Sequence, residues 1–195
     1  VGIVTFVKEP AVLNDVFNQD DFNSLKSLFS DYKSFEYQQG FSRYVVADNT
    51  MEELKEYTTK LIPLARSTFG SENLMPTYTL FSHYEGESAS LYKHKDDNAC
   101  TYTIDMCVYQ KNPWDLWVEN KAYTLHPNQA LAYYGNDQMH WREDFPNPKE
   151  NHVAMIFFHF AEPEHWYFTK GPSYLSVIRN EMTEENWNSA FNTVA

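Results

Sequence analysis

The run from Val153 to Phe160 constrains this chain most, because His159 is its one polar residue. A short, nearly unbroken apolar run of this kind reads as a strand covered on both faces, at the centre of a sheet. It is far below the ~20 residues that a membrane-spanning helix needs. The segments before it have the same character. Tyr78 to Tyr84 ends at the turn signal Glu85-Gly86, and Leu91 to His94 is short. Thr101 to Gln110 alternates, with Tyr102, Ile104, Met106 and Val108 on one face. Trp114 to Val118 and Lys121 to Leu125 flank Glu119-Asn120 as a hairpin, and Ala130 to Tyr134 runs into Gly135-Asn136. Many short strands with regular turns predict a sandwich or jelly roll.

The first 80 residues are mixed. Gly2 to Val7 reads as a short strand. Phe22, Leu25, Leu28, Phe29 and Tyr32 recur at helical spacing behind Asp20 and Asp21, which predicts a helix over 20–32. A second helix starts near Thr50, with Thr50 and Glu53 as a capping-box pair. Leu54, Tyr57, Thr58, Leu61 and Ala65 form its buried face; Pro63 should kink or shorten it, and Gly70 should stop it. A further helix follows Thr183, with Trp187, Ala190 and Phe191 on one face. Helices first and strands after predict an α+β chain whose helices pack on one side of a β-sandwich.

Charge and cysteine content narrow the function. Against 15 Lys and Arg stand 27 Asp and Glu, a net charge of −12, which disfavours binding to a nucleic-acid backbone or an anionic membrane. Aromatic residues make up 17%, too many for a disordered chain. Val1 to Val7 is too short for a signal peptide. Cys100 and Cys107 point to opposite faces of the predicted strand and should not pair, which fits a reducing compartment such as the cytoplasm. No Cys-x-x-Cys pair supports a zinc site, and no phosphate-binding Gly-rich loop or nucleophile elbow is present.

The chemistry lies in His94-Lys95-Asp96. On extended backbone, residues two apart point to one side, so His94 and Asp96 can hold one ion together. The third ligand must come from elsewhere, and His140, just after the Gly135-Asn136 turn, is the best placed. Two histidines and one carboxylate on one face, with open positions left, are the ligand set of non-haem Fe(II) oxygenases. A lone His-x-Asp is a weak signal, and its plainer reading is a solvated loop.

Together these residues resemble the Fe(II)- and 2-oxoglutarate-dependent dioxygenases, in their prolyl-4-hydroxylase-like branch, over about residues 75–162. Tyr84-Glu85-Gly86 leading through Leu91 to His94-Lys95-Asp96 is similar to the family's approach to its proximal ligands. His126-Pro127-Asn128-Gln129-Ala130-Leu131 is similar to its approach to a later strand, and His140 falls where the distal histidine belongs. His140-Trp141-Arg142-Glu143 resembles small viral or microbial members, which would place the protein in the host cytoplasm if viral.

The resemblance implies a double-stranded β-helix (jelly roll, cupin-like) with supporting N-terminal helices, forming one domain over 1–195. It implies Fe(II) on His94, Asp96 and His140, with 2-oxoglutarate and O₂ as cosubstrates. It implies hydroxylation of an unactivated C–H bond on a peptide or protein side chain such as proline, or on a small molecule, while 2-oxoglutarate becomes succinate and CO₂. The family's last strand opens with an Arg or Lys that anchors 2-oxoglutarate, but this chain has Asn151-His152 there. His152 by alignment and Arg142 by charge are the substitutes, with Lys149 in the nearby loop. Tyr84 and Tyr102 could bond the cosubstrate or be core aromatics. His159 reads as a core or outer-face histidine opposite His152, and His126 and His165 read as turn and surface residues. The missing anchor keeps two alternatives open: a non-catalytic jelly-roll binding module, and a cupin-like metal enzyme that does not use 2-oxoglutarate.

Overall fold

The computed structural model describes residues 8–170. The expected strand over 2–7 and helix after Thr183 lie outside the described residues. The described residues form eleven strands and three α-helices: β1 (Ala11–Leu13), α1 (Gln19–Ser27), β2 (Glu36–Gln38), β3 (Arg43–Ala47), α2 (Glu53–Phe69), β4 (Met75–Glu85), β5 (Leu91–His94), β6 (Tyr102–Gln110), β7 (Leu116–Val118), β8 (Lys121–Tyr123), β9 (Ala130–Tyr133), β10 (His140–Arg142), β11 (His152–Ala161) and α3 (Trp166–Lys170). The long sheet has the order β1-β9-β6-β11-β4-β3-β2, and the short sheet β5-β10-β7-β8. All the pairings are antiparallel. From β4 onward the chain passes back and forth between the sheets, with only the β7–β8 hairpin staying in one, the winding of a double-stranded β-helix. The apolar run is the middle strand of the seven, as its composition predicted.

Strand alternation divides the molecule into two cores. One face of the long sheet carries Phe81, Ile104, Met106, Val108, Ala154, Ile156, Phe158 and Phe160, packed against Phe22, Leu25, Leu54 and Leu61 of the helices. The other face carries Leu80, Tyr84, Cys107, Tyr133, Val153, Met155 and Phe157, packed against Leu91, Leu116 and Val118 of the short sheet. The cavity that concerns function lies in this inter-sheet layer.

The helices follow local chemistry, with three departures from expectation. Asn18 caps α1, its Oδ1 accepting from Asp21 N at 2.8 Å, and Asp20 and Asp21 complement the helix dipole. This helix ends at Ser27, short of Tyr32, because the sheet takes the remaining apolar residues. Phe29 stacks on Phe81 at 3.7 Å, and Tyr32 stacks on the His83 ring at 3.6 Å. The capping box on Thr50 does not form: Thr50 Oγ1 contacts Asn49, and α2 begins at Glu53 without a side-chain cap. Pro63 does not end α2; it sits on the exposed side while Leu61 and Ala65 are held in the core. Gly70 stops the helix as expected, at φ +66°. Among the described residues, no helix is long and apolar enough to cross a membrane.

Candidate metal centre

His94 ends β5 and His140 opens β10, and the register sets them directly opposite each other. Asp96, two residues past His94 on extended chain, turns its carboxylate to the same side. Its backbone is clamped: Asp96 N donates to Gly135 O at 2.9 Å, and Asn136 Nδ2 donates to Asp96 O at 3.0 Å. Gly135 is there for space rather than backbone freedom, since a Cβ would lie 2.6 Å from Asp96 Oδ2 and 2.5 Å from Thr103 Oγ1.

Each histidine is oriented by a backbone carbonyl. Nδ1 of His94 lies 2.6 Å from Tyr92 O, and Nδ1 of His140 lies 2.9 Å from Gln138 O. A carbonyl only accepts, so each Nδ1 carries a hydrogen and each Nε2 presents a lone pair when the ring is neutral. Both Nε2 atoms lie 3.3 Å from Asp96 Oδ1. That oxygen is buried and accepts no hydrogen bond. Three electron-pair donors therefore converge with nothing between them, a donor set that fits a divalent cation. Burial alone would raise the Asp96 carboxyl, but the charge of His140 and His94 holds it below the usual carboxylate range. Burial would lower His140, but Asp96 raises it above the ordinary histidine value.

The surrounding wall contains Arg43, Tyr84, Leu91, Asp105, Tyr133, Phe157 and His159, and encloses only about 20 Å³. That is room for an ion or one water. Arg43 is fully buried and donates to Tyr84 OH at 2.9 Å and to Gln38 Oε1 at 2.7 Å. Tyr133 OH donates to Asp105 Oδ2 at 2.8 Å, while Asp105 Oδ1 has no partner; burial pushes this carboxyl up to about 7.

The residues considered for the cosubstrate divide. Tyr84 lines the cavity. Arg142 follows His140 by two on β10 and is buried over the Trp114 ring, with Nη1 donating to Trp114 O. Its Nε and Nη2 are buried without a partner. Its other side reaches an open cleft of about 690 Å³ with Leu91, Tyr92 and Phe145. The remaining two are corrected by strand parity. Tyr102 lies on the helix-facing side of β6, where its hydroxyl donates to Glu162 at 2.9 Å. His152 shares the outer face with Ala154, beside His83 and Tyr109, and lines a separate cleft behind the sheet. The inward residue at the start of β11 is Val153, so no cation stands there. His159, expected as a core or outer-face residue opposite His152, does have the opposite parity and forms part of the cavity wall. Asp105 and Arg43 were also missed. Asp105 was discoverable, as an acid on the alternate face of an otherwise apolar strand. Nothing near Arg43 in the sequence marks it.

The fold is similar to that of solved 2-oxoglutarate-dependent oxygenases. No protein-family model and no curated protein matches the chain. Solved structures do. EctD from S. alaskensis with bound Fe is 11% identical at a TM-score of 0.63, over 84% of this chain and 80% of its own. HygX from Streptomyces hygroscopicus, with nickel and 2-oxoglutarate bound, is 10% identical at 0.61, over 80% and 84%. The viral collagen prolyl hydroxylase of Paramecium Bursaria Chlorella virus-1, as its 2-oxoglutarate complex, is 7% identical at 0.54, over 78% and 96%. The resemblance read in the sequence is thus borne out at the level of the fold.

Proposed function

We propose that this chain is an Fe(II)- and 2-oxoglutarate-dependent oxygenase that hydroxylates an unactivated C–H bond, with a peptide or protein side chain such as proline as substrate. The observation that carries the reading is the convergence of His94 Nε2, His140 Nε2 and the unbonded Asp96 Oδ1 at the crossing of β5 and β10. Iron held there, with 2-oxoglutarate and O₂, would supply the oxidising chemistry, the cosubstrate leaving as succinate and CO₂. The protein's own part is orientation and exclusion of water. Tyr92 O and Gln138 O fix the two imidazoles, and Phe157 and Leu91 keep the site apolar. Arg142 is the anchor for the far carboxylate: two of its nitrogens, Nε and Nη2, are buried without an acceptor, which a carboxylate would satisfy bidentately. The metal cavity is too small for a five-carbon diacid as it stands, so Leu91, which lines both this cavity and the cleft that holds Arg142, must move to join the two.

Anaerobic titration of the apo-protein with Fe(II) and 2-oxoglutarate tests the reading. A visible metal-to-ligand charge-transfer band should require both components. It should vanish in His94→Ala, Asp96→Ala and His140→Ala, with the fold retained by circular dichroism. Iron binding without the band would shift the reading to a metal enzyme with another cosubstrate. A chain that binds no iron would shift it to a binding module.

A further inference from the structure

Cys100 has no part in the site described so far, and His159 only lines the wall of its cavity. Together with Asp96 they form a second group of ligand atoms, all within 4.8 Å of one another, and all three residues are buried. We propose that Asp96, Cys100 and His159 form a second metal site beside the first, sharing the Asp96 carboxylate, that takes a thiophilic divalent cation such as zinc or cobalt.

His159 is prepared as a ligand in the same way as His94 and His140. Its Nδ1 lies 3.0 Å from Tyr78 O, so that nitrogen donates and Nε2 keeps its lone pair. A ring nitrogen held by a backbone carbonyl is the usual support of a metal-bound histidine. His83 is the contrast: both of its nitrogens are engaged, with Tyr109 OH at 2.8 Å and Glu85 at 3.1 Å, and it offers nothing to an ion.

Asp96 and Cys100 are held on one rigid turn. Asp97 Oδ1 accepts from Ala99 N at 2.8 Å, and Thr77 Oγ1 donates to Ala99 O at 2.7 Å. Asn136 N donates to Cys100 O at 3.2 Å, so the loop that clamps Asp96 also clamps Cys100. Tyr78 OH lies 3.1 Å from Cys100 Sγ, where it can donate to a thiolate. A sulfur, an imidazole nitrogen and a carboxylate oxygen select zinc-like cations over calcium or magnesium. A carboxylate has two oxygens, and bridged metal pairs lie ~3.5–4 Å apart.

Anaerobic titration of the full chain with Co(II) alone provides the test. The expected result is a near-ultraviolet sulfur-to-cobalt charge-transfer band and a second equivalent of bound cobalt. Cys100→Ser should abolish the band, and His159→Gln should weaken it, both with unchanged circular dichroism. The band should survive His140→Ala, which removes only the first site. Absence of the band at saturating cobalt, or its persistence in Cys100→Ser through Cys107, would overturn the proposal. If Cys100→Ser does not fold, His159→Gln decides: an undiminished band overturns it. The outcome is independent of 2-oxoglutarate, so a failed oxygenase assay and a failed second site are separately visible.

Discussion

At the scale of single residues, Asp96 is the most exposed to cost. A buried acceptor without a donor costs ~1–3 kcal/mol, and more when charged, and Asp96 Oδ1 stands in that position between two imidazoles. Arg142 is the same case with the opposite sign. Removing an anchor that bonds a carboxylate loses ~1.5–3 kcal/mol per charged hydrogen bond, so Arg142→Ala should raise the apparent Kd for 2-oxoglutarate by roughly 10- to 100-fold. His152→Ala should leave it unchanged, because His152 lies behind the sheet; equilibrium titration of the iron-loaded variants checks both. The two residues could not be separated in the sequence, where alignment favoured one and charge the other. His83 carries a pH prediction. Burial lowers it to about 4 from an ordinary 6.5. The unfolded chain therefore binds more protons between those values, and folding stability should fall as pH drops from about 6.5 to about 4. Denaturant titrations across that window should show the slope in the wild type and a flatter one in His83→Gln.

At the scale of elements, the site depends on the turn after β9 as much as on the strands. Gly135→Ala would drive a Cβ to 2.5 Å from Thr103 Oγ1, 2.6 Å from Asp96 Oδ2 and 2.9 Å from the backbone oxygen of Cys100. The backbone contact cannot rotate away, so overpacking should cost ~1–3 kcal/mol. Iron affinity should fall with it, because Asp96 is displaced; chemical denaturation and metal titration of one variant read the two effects. Element boundaries were legible where periodicity was strong. β5 has the bounds that its sequence predicted, and β6 differs by one residue at its start. They were least legible where a tertiary contact replaced a local one. The apolar spacing through Tyr32 looks helical, yet Phe29 and Tyr32 are satisfied by stacking on the sheet. β2, β3 and β10 are short pieces whose pairing comes entirely from their neighbours.

At the scale of the whole molecule, the candidate metal centre joins the short sheet to the inter-sheet core. A cation there binds the folded chain and not the unfolded one, so it stabilises by mass action. At 100 times its Kd the gain is about 2.7 kcal/mol. For a chain of this length, Fe(II) or a redox-inert divalent substitute should raise Tm by roughly 5–11 °C, and Asp96→Ala should remove the rise; anaerobic differential scanning fluorimetry checks it. The sequence by itself determined the strand-rich architecture, the central strand and His94-x-Asp96, because alternation and two-residue spacing on extended backbone are local geometry. Only the tertiary structure decided the rest. Tyr84 faces the cavity while Tyr102 and His152 do not, which depends on which side of the long sheet meets the helices. His140 comes opposite His94, and Arg43 and His159 reach the same cavity, through strand pairings between residues far apart in the chain. Such pairings arise from burial of the whole two-sheet core, and no short stretch of sequence contains them.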